Sequence, residues 1–127
     1  MIPGSKENHP SFRKSFGFAF QGFRFAVLSE RNIKVMLAGF ALAVALGLVA
    51  GLDAVRWAIV LLCCGVVLCA ELLNTAIETV VDLVSPEYHP LAGRAKDIAA
   101  AAGWVLCVFV ALTGVLTIGS ALIDKFL

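Results

Sequence analysis

The sequence is short of charge and of the motifs that most soluble nucleotide-binding or metal-binding enzymes carry. Only 15% of its 127 residues are charged and the formal net charge is +1, too little for a nucleic-acid footprint. The four cysteines show no C-x-x-C spacing, which argues against a zinc or dithiol redox site. No G-x-x-x-x-G-K-S/T loop is present, so any nucleotide site here is not a P-loop.

A cleavable signal peptide is a further expected absence, because the first thirty residues mix charges with aromatics and hold no continuous apolar run. Apolar sequence dominates instead: 61% of the residues are hydrophobic, above the roughly 45–50% of soluble domains. We predict an all-α membrane protein with three transmembrane helices, because three apolar runs are long enough to cross about 30 Å of hydrocarbon. The predicted spans are residues 35–52, 55–84 and 98–123.

The segment before the first span is predicted to lie on the membrane surface. Residues 1–10 hold two prolines and a glycine and should form a flexible N-terminus. Residues 11–34 should form an amphipathic interfacial helix, because aromatic residues recur on one face and basic residues lie mostly off it. That apolar face comprises Phe12, Phe16, Phe20, Phe23 and Val27. A helix packed against neighbouring protein would give a similar pattern.

The basic residues predict the orientation of the chain. Six Lys or Arg residues precede the first span and two more, Arg94 and Lys96, follow the second, whereas the first turn and the C-terminal tail hold one each. The positive-inside rule therefore places the N-terminus and the second loop in the cytoplasm. We expect a multi-pass protein of the cytoplasmic (inner) membrane whose second loop can reach ATP and Mg²⁺.

The second span carries a row of polar residues that hydropathy alone does not explain. Glu71, Asn74, Glu78 and Asp82 fall within an arc of about 80° on a helix that turns about 100° per residue. Carboxylates facing lipid cost several kcal/mol, so they normally face a partner, a cavity or a site. Counting residues from the start of the span puts Glu71 and Asn74 near the inner boundary of the bilayer, with Glu78 and Asp82 beyond it.

These positions suggest separate roles. Glu71 is nearest the hydrocarbon and is the natural general base, since dry surroundings make a carboxylate more basic. Glu78 lies about 10 Å further along the helix axis and is better placed to hold Mg²⁺ together with phosphate oxygens. Glu30 is a candidate second metal ligand, and Asn74 is a candidate for orienting a phosphate or a metal-bound water.

Two residues after the second loop complete this interpretation. Lys96 can supply positive charge to a transferring phosphoryl group, and Asp97 can position that lysine or contact the metal.

Several segments together resemble the small bacterial diacylglycerol kinase and undecaprenol kinase family. The run ELLNTAIETVVD at residues 71–82 is similar to the family signature, and EYHPLAGRAKD at residues 87–97 is similar to its second loop and helix start. Gly22, Arg24 and residues 30–32 resemble its N-terminal segment. The resemblance covers nearly the whole chain from about Phe12 onward.

The resemblance implies three transmembrane helices, an N-terminal surface helix and a homotrimer with active sites shared between protomers. It implies ATP and Mg²⁺, with Glu71 as catalytic base and with Glu30 and Glu78 as metal-binding acids that also contact nucleotide. Further nucleotide or phosphate contacts are implied at Asn74, Lys96 and Asp97. Supporting positions are Asp82, Glu87, His89, Arg24 and Gln21, although His89 reads more simply as a loop residue that makes hydrogen bonds.

The family that the chain resembles has two branches, which differ in their lipid substrate. Residues 19–22 and 29–32 look more like the undecaprenol kinase branch, since the diacylglycerol kinase branch has a lysine where Gln21 stands. We therefore favour undecaprenol as substrate, with diacylglycerol as the alternative.

Two rival classes are weighed against a kinase. A small cation-coupled transporter could use Glu71 as its ion carrier, but transporters place such acids near mid-bilayer, whereas the ionisable groups here crowd one end. A purely structural membrane subunit would give no reason for four polar groups on one stripe. Consumption of ATP that depends on an added lipid alcohol would separate a kinase from both.

Overall fold

The computed structural model describes residues 11–127, and this part of the chain is helical throughout apart from short connections. Four helices follow one another: α1 at Phe12–Ser29, α2 at Arg31–Ala50, α3 at Ala54–Val84 and α4 at Pro90–Phe126. The last three are long and apolar enough to cross a membrane, which confirms the all-α prediction with three spans. The predicted flexible segment 1–10 lies outside the described residues.

The boundary between α1 and α2 differs from the predicted single helix over residues 11–34. Glu30 adopts an extended conformation, with φ −97° and ψ 123°, so α1 ends at Ser29 and α2 begins at Arg31. The Lys34 ammonium donates to the Leu28 carbonyl at 3.0 Å, which satisfies a carbonyl that the end of α1 leaves without a helical partner. The helix that contains the first predicted span therefore begins at Arg31.

Local signals explain the other helix ends. The Asp53 carboxylate accepts from the Arg56 backbone N–H at 2.9 Å and caps α3. Gly51 ends α2 with φ +72°, a left-handed conformation that glycine adopts without strain. Pro90 occupies the first turn of α4, where its missing N–H costs nothing. Helix α4 consequently starts eight residues before the predicted boundary at residue 98.

The helices pack mainly through α3 and α4, with α2 against both and α1 against α2 and α3. An apolar core lies at the end of the bundle near the α2–α3 turn and contains Ala50, Leu52, Val60, Ile118 and Ala121. In α1 only Ala26 is buried, and the predicted aromatic face is largely uncovered by the rest of the chain. The interfacial position of α1 remains a prediction.

Candidate functional site

The acidic stripe of α3 is buried at one end and exposed at the other. Glu71 is 5% exposed and Asn74 is 8% exposed, whereas Glu78 is half-buried and Asp82 is exposed. The apolar residues Leu73, Ile77 and Val80 on the opposite face are open to the surroundings, as expected for a helix side that meets hydrocarbon. In the most apolar part of α3, the polar residues of the stripe therefore face the interior of the protein.

Glu71 is buried without a polar partner for its carboxylate. Within residues 11–127 the carboxylate receives no side-chain hydrogen bond and forms no ion pair; the Thr75 hydroxyl donates instead to the Glu71 backbone carbonyl at 3.0 Å. Gly103 of α4 is its close neighbour, since a Cβ built on that glycine would lie 3.8 Å from Glu71 Oε2. A carboxylate that belongs to a mostly buried residue and has no polar partner is costly for stability and is characteristic of functional sites.

Asn74 lies one turn further along α3 and links the buried and exposed parts of the stripe. Its Nδ2 donates to Glu78 Oε1 at 3.1 Å. Its Oδ1 is the one buried side-chain oxygen or nitrogen in the described chain that lacks a hydrogen-bond partner. Buried polar atoms are seldom left unsatisfied, so this oxygen is available to a metal ion, a water or a donor on a ligand.

Asp82 and Lys96 form the outer edge of the site. The Lys96 ammonium contacts Asp82 Oδ1 at 2.5 Å and joins the last turns of α3 to the first turns of α4. A small cavity of about 220 Å³ lies beside this pair and is bounded by the α3–α4 loop. Asn74, Glu78, Asp82 and Lys96 therefore share one end of the α3–α4 hairpin.

The remaining predicted site residues lie around this end or on α1. Glu30 is half-buried at the α1–α2 break, whereas Asp97 is exposed near the start of α4. Gln21 and Arg24 are exposed on α1. Glu87 is exposed in the α3–α4 loop, where its backbone carbonyl accepts from the Ser85 hydroxyl at 3.0 Å. His89 caps α4, since its Nδ1 accepts from the Leu91 N–H at 3.2 Å, in line with the simpler interpretation of this residue.

The oxygen atoms at this end suit a hard cation that retains other ligands. No group of three or more His, Cys, Asp or Glu residues in the described chain is close enough to form a complete protein cage. Mg²⁺ does not need one, because it binds through one or two carboxylates and fills its other positions with water and phosphate oxygens. The unpartnered Asn74 Oδ1 and the Glu78 carboxylate beside it fit such an ion.

Gly103 and Thr75 are parts of the site that sequence reasoning did not assign. The small residues at 99–103 allow close helix packing, and the structure shows that the Glu71 carboxylate lies beside Gly103. Helical periodicity places residues on faces of one helix. It does not say which residue of a second helix lies opposite, so this contact had no signal in the sequence.

The fold and this end of the hairpin together define a multi-pass membrane protein with a buried acidic site between its helices. The sequence profile described as prokaryotic diacylglycerol kinase matches residues 17–118. The chain belongs to this family of membrane lipid kinases.

Individual relatives bear both lipid names. The chain is 39% identical over 105 residues to the undecaprenol kinase of Bacillus subtilis (strain 168), covering 83% of this chain and 85% of that protein. It is 33% identical over 100 residues to the diacylglycerol kinase of Escherichia coli (strain K12), covering 79% and 82%. A diacylglycerol kinase from Synechocystis sp. is 37% identical over 107 residues, covering 83% and 61%.

Proposed function

We propose that the protein phosphorylates the hydroxyl group of a membrane lipid with ATP, and that the favoured lipid is undecaprenol. Membership of the lipid kinase family supports the reaction class. The observation that carries the site assignment is Glu71, a residue only 5% exposed, whose carboxylate has no polar partner in the described chain and which lies one turn from an unpartnered amide oxygen. The 39% identity to an undecaprenol kinase supports the lipid.

Glu71 acts as the general base in this proposal. It accepts the proton of the lipid hydroxyl while the hydroxyl oxygen forms a bond to the terminal phosphorus of ATP and the bond to ADP breaks. Because Glu71 is largely buried and its carboxylate accepts no hydrogen bond from a side chain of the described residues, its oxygens are free for the incoming hydroxyl. General base catalysis of this kind contributes roughly 10²- to 10⁴-fold to rate.

In this proposal the nucleotide phosphates bind at the exposed part of the acidic stripe. Glu78 and Glu30 would hold Mg²⁺, with Asn74 Oδ1 as a neutral oxygen donor beside them, and Lys96 and Asp97 would contact phosphate. Bound Mg²⁺ would neutralise phosphate charge, which is the main electrostatic requirement of phosphoryl transfer. Asp82, Glu87, His89, Arg24 and Gln21 are proposed as supporting positions around the nucleotide.

The proposal includes the assembly and its orientation. A homotrimer with sites shared between protomers would supply neighbours for the apolar outer faces of α2 to α4, and it rests on the family resemblance. The active end is proposed to face the cytoplasm at the inner membrane, because most lysine and arginine residues lie in the N-terminal segment and at the start of α4.

Diacylglycerol is the second candidate substrate, because the relatives in Escherichia coli and Synechocystis are named for it. The purified protein, reconstituted in a bilayer, should be offered undecaprenol and diacylglycerol side by side with radiolabelled ATP and Mg²⁺. We expect labelled lipid phosphate in both cases and a higher kcat/KM with undecaprenol. A higher value with diacylglycerol would reverse the lipid assignment, and ATP consumption that is independent of both lipids would refute the proposed reaction.

A further inference from the structure

The ion pair between Asp82 and Lys96 is too exposed for a contribution to folding stability to explain it. It connects α3 to α4 at 2.5 Å, yet the Asp82 side chain is 65% exposed and that of Lys96 is 36% exposed. Exposed ion pairs contribute about 0–1 kcal/mol to folding. Helices α3 and α4 already have the most extensive contact in the fold, with Val60, Ile118 and Ala121 in the apolar core, so their packing does not depend on this pair.

The surroundings of the pair point to a role in orientation. Both residues line the cavity of about 220 Å³, together with the loop residues Glu87 and His89. A free lysine side chain is among the most flexible in proteins and loses much rotamer entropy when it is fixed. An ammonium group has three donors, so the hydrogen bond to Asp82 leaves two for an acceptor in the cavity.

We propose that Asp82 is a positioning residue that holds the Lys96 ammonium at the edge of this cavity, where it meets the phosphate group in transfer. The inference rests on the proposed kinase function, in which Lys96 contacts phosphate. The Asp82 carboxylate weakens the attraction of the site for an anion, but it removes the need to immobilise the lysine during the reaction. Fixing a catalytic contact in advance acts on the rate of the chemical step more than on binding.

The test uses Asp82→Asn and a control matched in geometry. Asp124 forms the corresponding interhelical pair with Arg56 at the other end of the hairpin, at 2.9 Å, with side-chain exposures of 64% and 32%. We expect Asp82→Asn to lower kcat about tenfold while the KM for ATP changes little. Asp124→Asn should lower the thermal unfolding midpoint by about as much as Asp82→Asn does and leave kcat unchanged. Asp82→Glu should recover most of the rate that Asp82→Asn loses.

A charge reversal separates positioning from simple cross-linking. The double variant Asp82→Lys with Lys96→Asp restores an ion pair between the helices but moves the ammonium to α3. We expect it to regain the unfolding midpoint of the wild type without regaining kcat. Full activity in the reversed variant would overturn the inference, as would a lower KM for ATP with undiminished kcat in Asp82→Asn, because Asp82 would then only compete with the phosphate.

The proposed function and this inference fail in different ways. A wild-type protein that shows no lipid-dependent consumption of ATP would overturn both. An active wild type whose Asp82→Asn and Asp124→Asn variants have the same kcat would overturn the inference alone.

Discussion

The two ends of the α3–α4 hairpin differ in how their polar side chains are paired. At the end near the α2–α3 turn, called here the paired end, Arg56 bonds to Asp124 at 2.9 Å and lies near Asp53. Lys125 donates to the Val49 carbonyl at 2.6 Å. All four charged groups there have a partner, and they border the apolar core.

At the other end, called here the acidic end, the buried polar groups lack partners and the paired groups are exposed. Glu71 is buried with no hydrogen bond or ion pair to its carboxylate in the described chain, and Asn74 Oδ1 is buried without a partner. The pair that does form, Asp82 with Lys96, is exposed. Unsatisfied buried groups reduce stability, so the acidic end lowers the free energy of unfolding. Such a loss of stability is typical of residues retained for function.

The largest effect is expected from Glu71→Gln, which removes the proposed base and keeps the shape of the side chain. We predict a loss of roughly 10²- to 10⁴-fold in kcat for lipid phosphorylation. The unfolding midpoint should stay level or rise, because an uncharged amide is cheaper to bury than an unpaired carboxylate. Activity is measured with labelled ATP and stability by thermal unfolding in detergent; retained activity would show that Glu71 is not the base.

Glu78→Gln should have the next largest effect, and it should depend on Mg²⁺. The substitution retains an oxygen that can accept from Asn74 Nδ2, so little structural change is expected. A neutral amide binds Mg²⁺ more weakly than a carboxylate, and we predict that about tenfold more Mg²⁺ is needed for half-maximal activity. The check is a titration at fixed ATP beside the wild type, and superimposable curves would remove Glu78 from the metal site.

The sequence was informative wherever one helix determines the answer. Helical spacing predicted that Glu71, Asn74, Glu78 and Asp82 share one face of α3. In the structure Glu71 and Asn74 are buried in the protein and Asp82 is exposed, whereas the depth of these residues in the bilayer stays a prediction. Hydropathy predicted three helices long enough to span a membrane, and the structure has them. The helix ends depend on single hydrogen bonds that hydropathy does not report, as with Lys34 at the α1–α2 break and His89 at the start of α4.

Contacts between helices were beyond the reach of the sequence. Nothing in the pattern of α4 indicates that Gly103 adjoins Glu71 or that Lys96 pairs with Asp82. These contacts depend on the axial position of α4 against α3, which the α3–α4 loop and the packing set together. The family resemblance assigned roles to several of these residues, but the pairing that motivates the inference about Asp82 came from the structure.

The smallest effect is expected at the paired end, where a change should act on stability alone. Gly47 of α2 lies against Trp57, and an added Cβ would approach Trp57 Cη2 to 2.8 Å and Leu52 Cδ1 to 3.0 Å. Gly47→Ala gains up to about 1 kcal/mol of helix propensity, but overpacking a closely fitted site costs about 1–3 kcal/mol. We therefore predict a net loss of about 1 kcal/mol and a lower unfolding midpoint.

Gly39→Ala on the same helix is the matched control, because its added Cβ would meet nothing within 4 Å in the described chain. Only the gain in helix propensity then applies, so the midpoint should rise slightly. Both variants should keep the kcat of the wild type, since neither residue lines the cavity at the acidic end. If Gly47→Ala lowered kcat in correctly folded protein, the paired end would be coupled to the reaction, and the contrast between a stabilising end and a functional end would not hold.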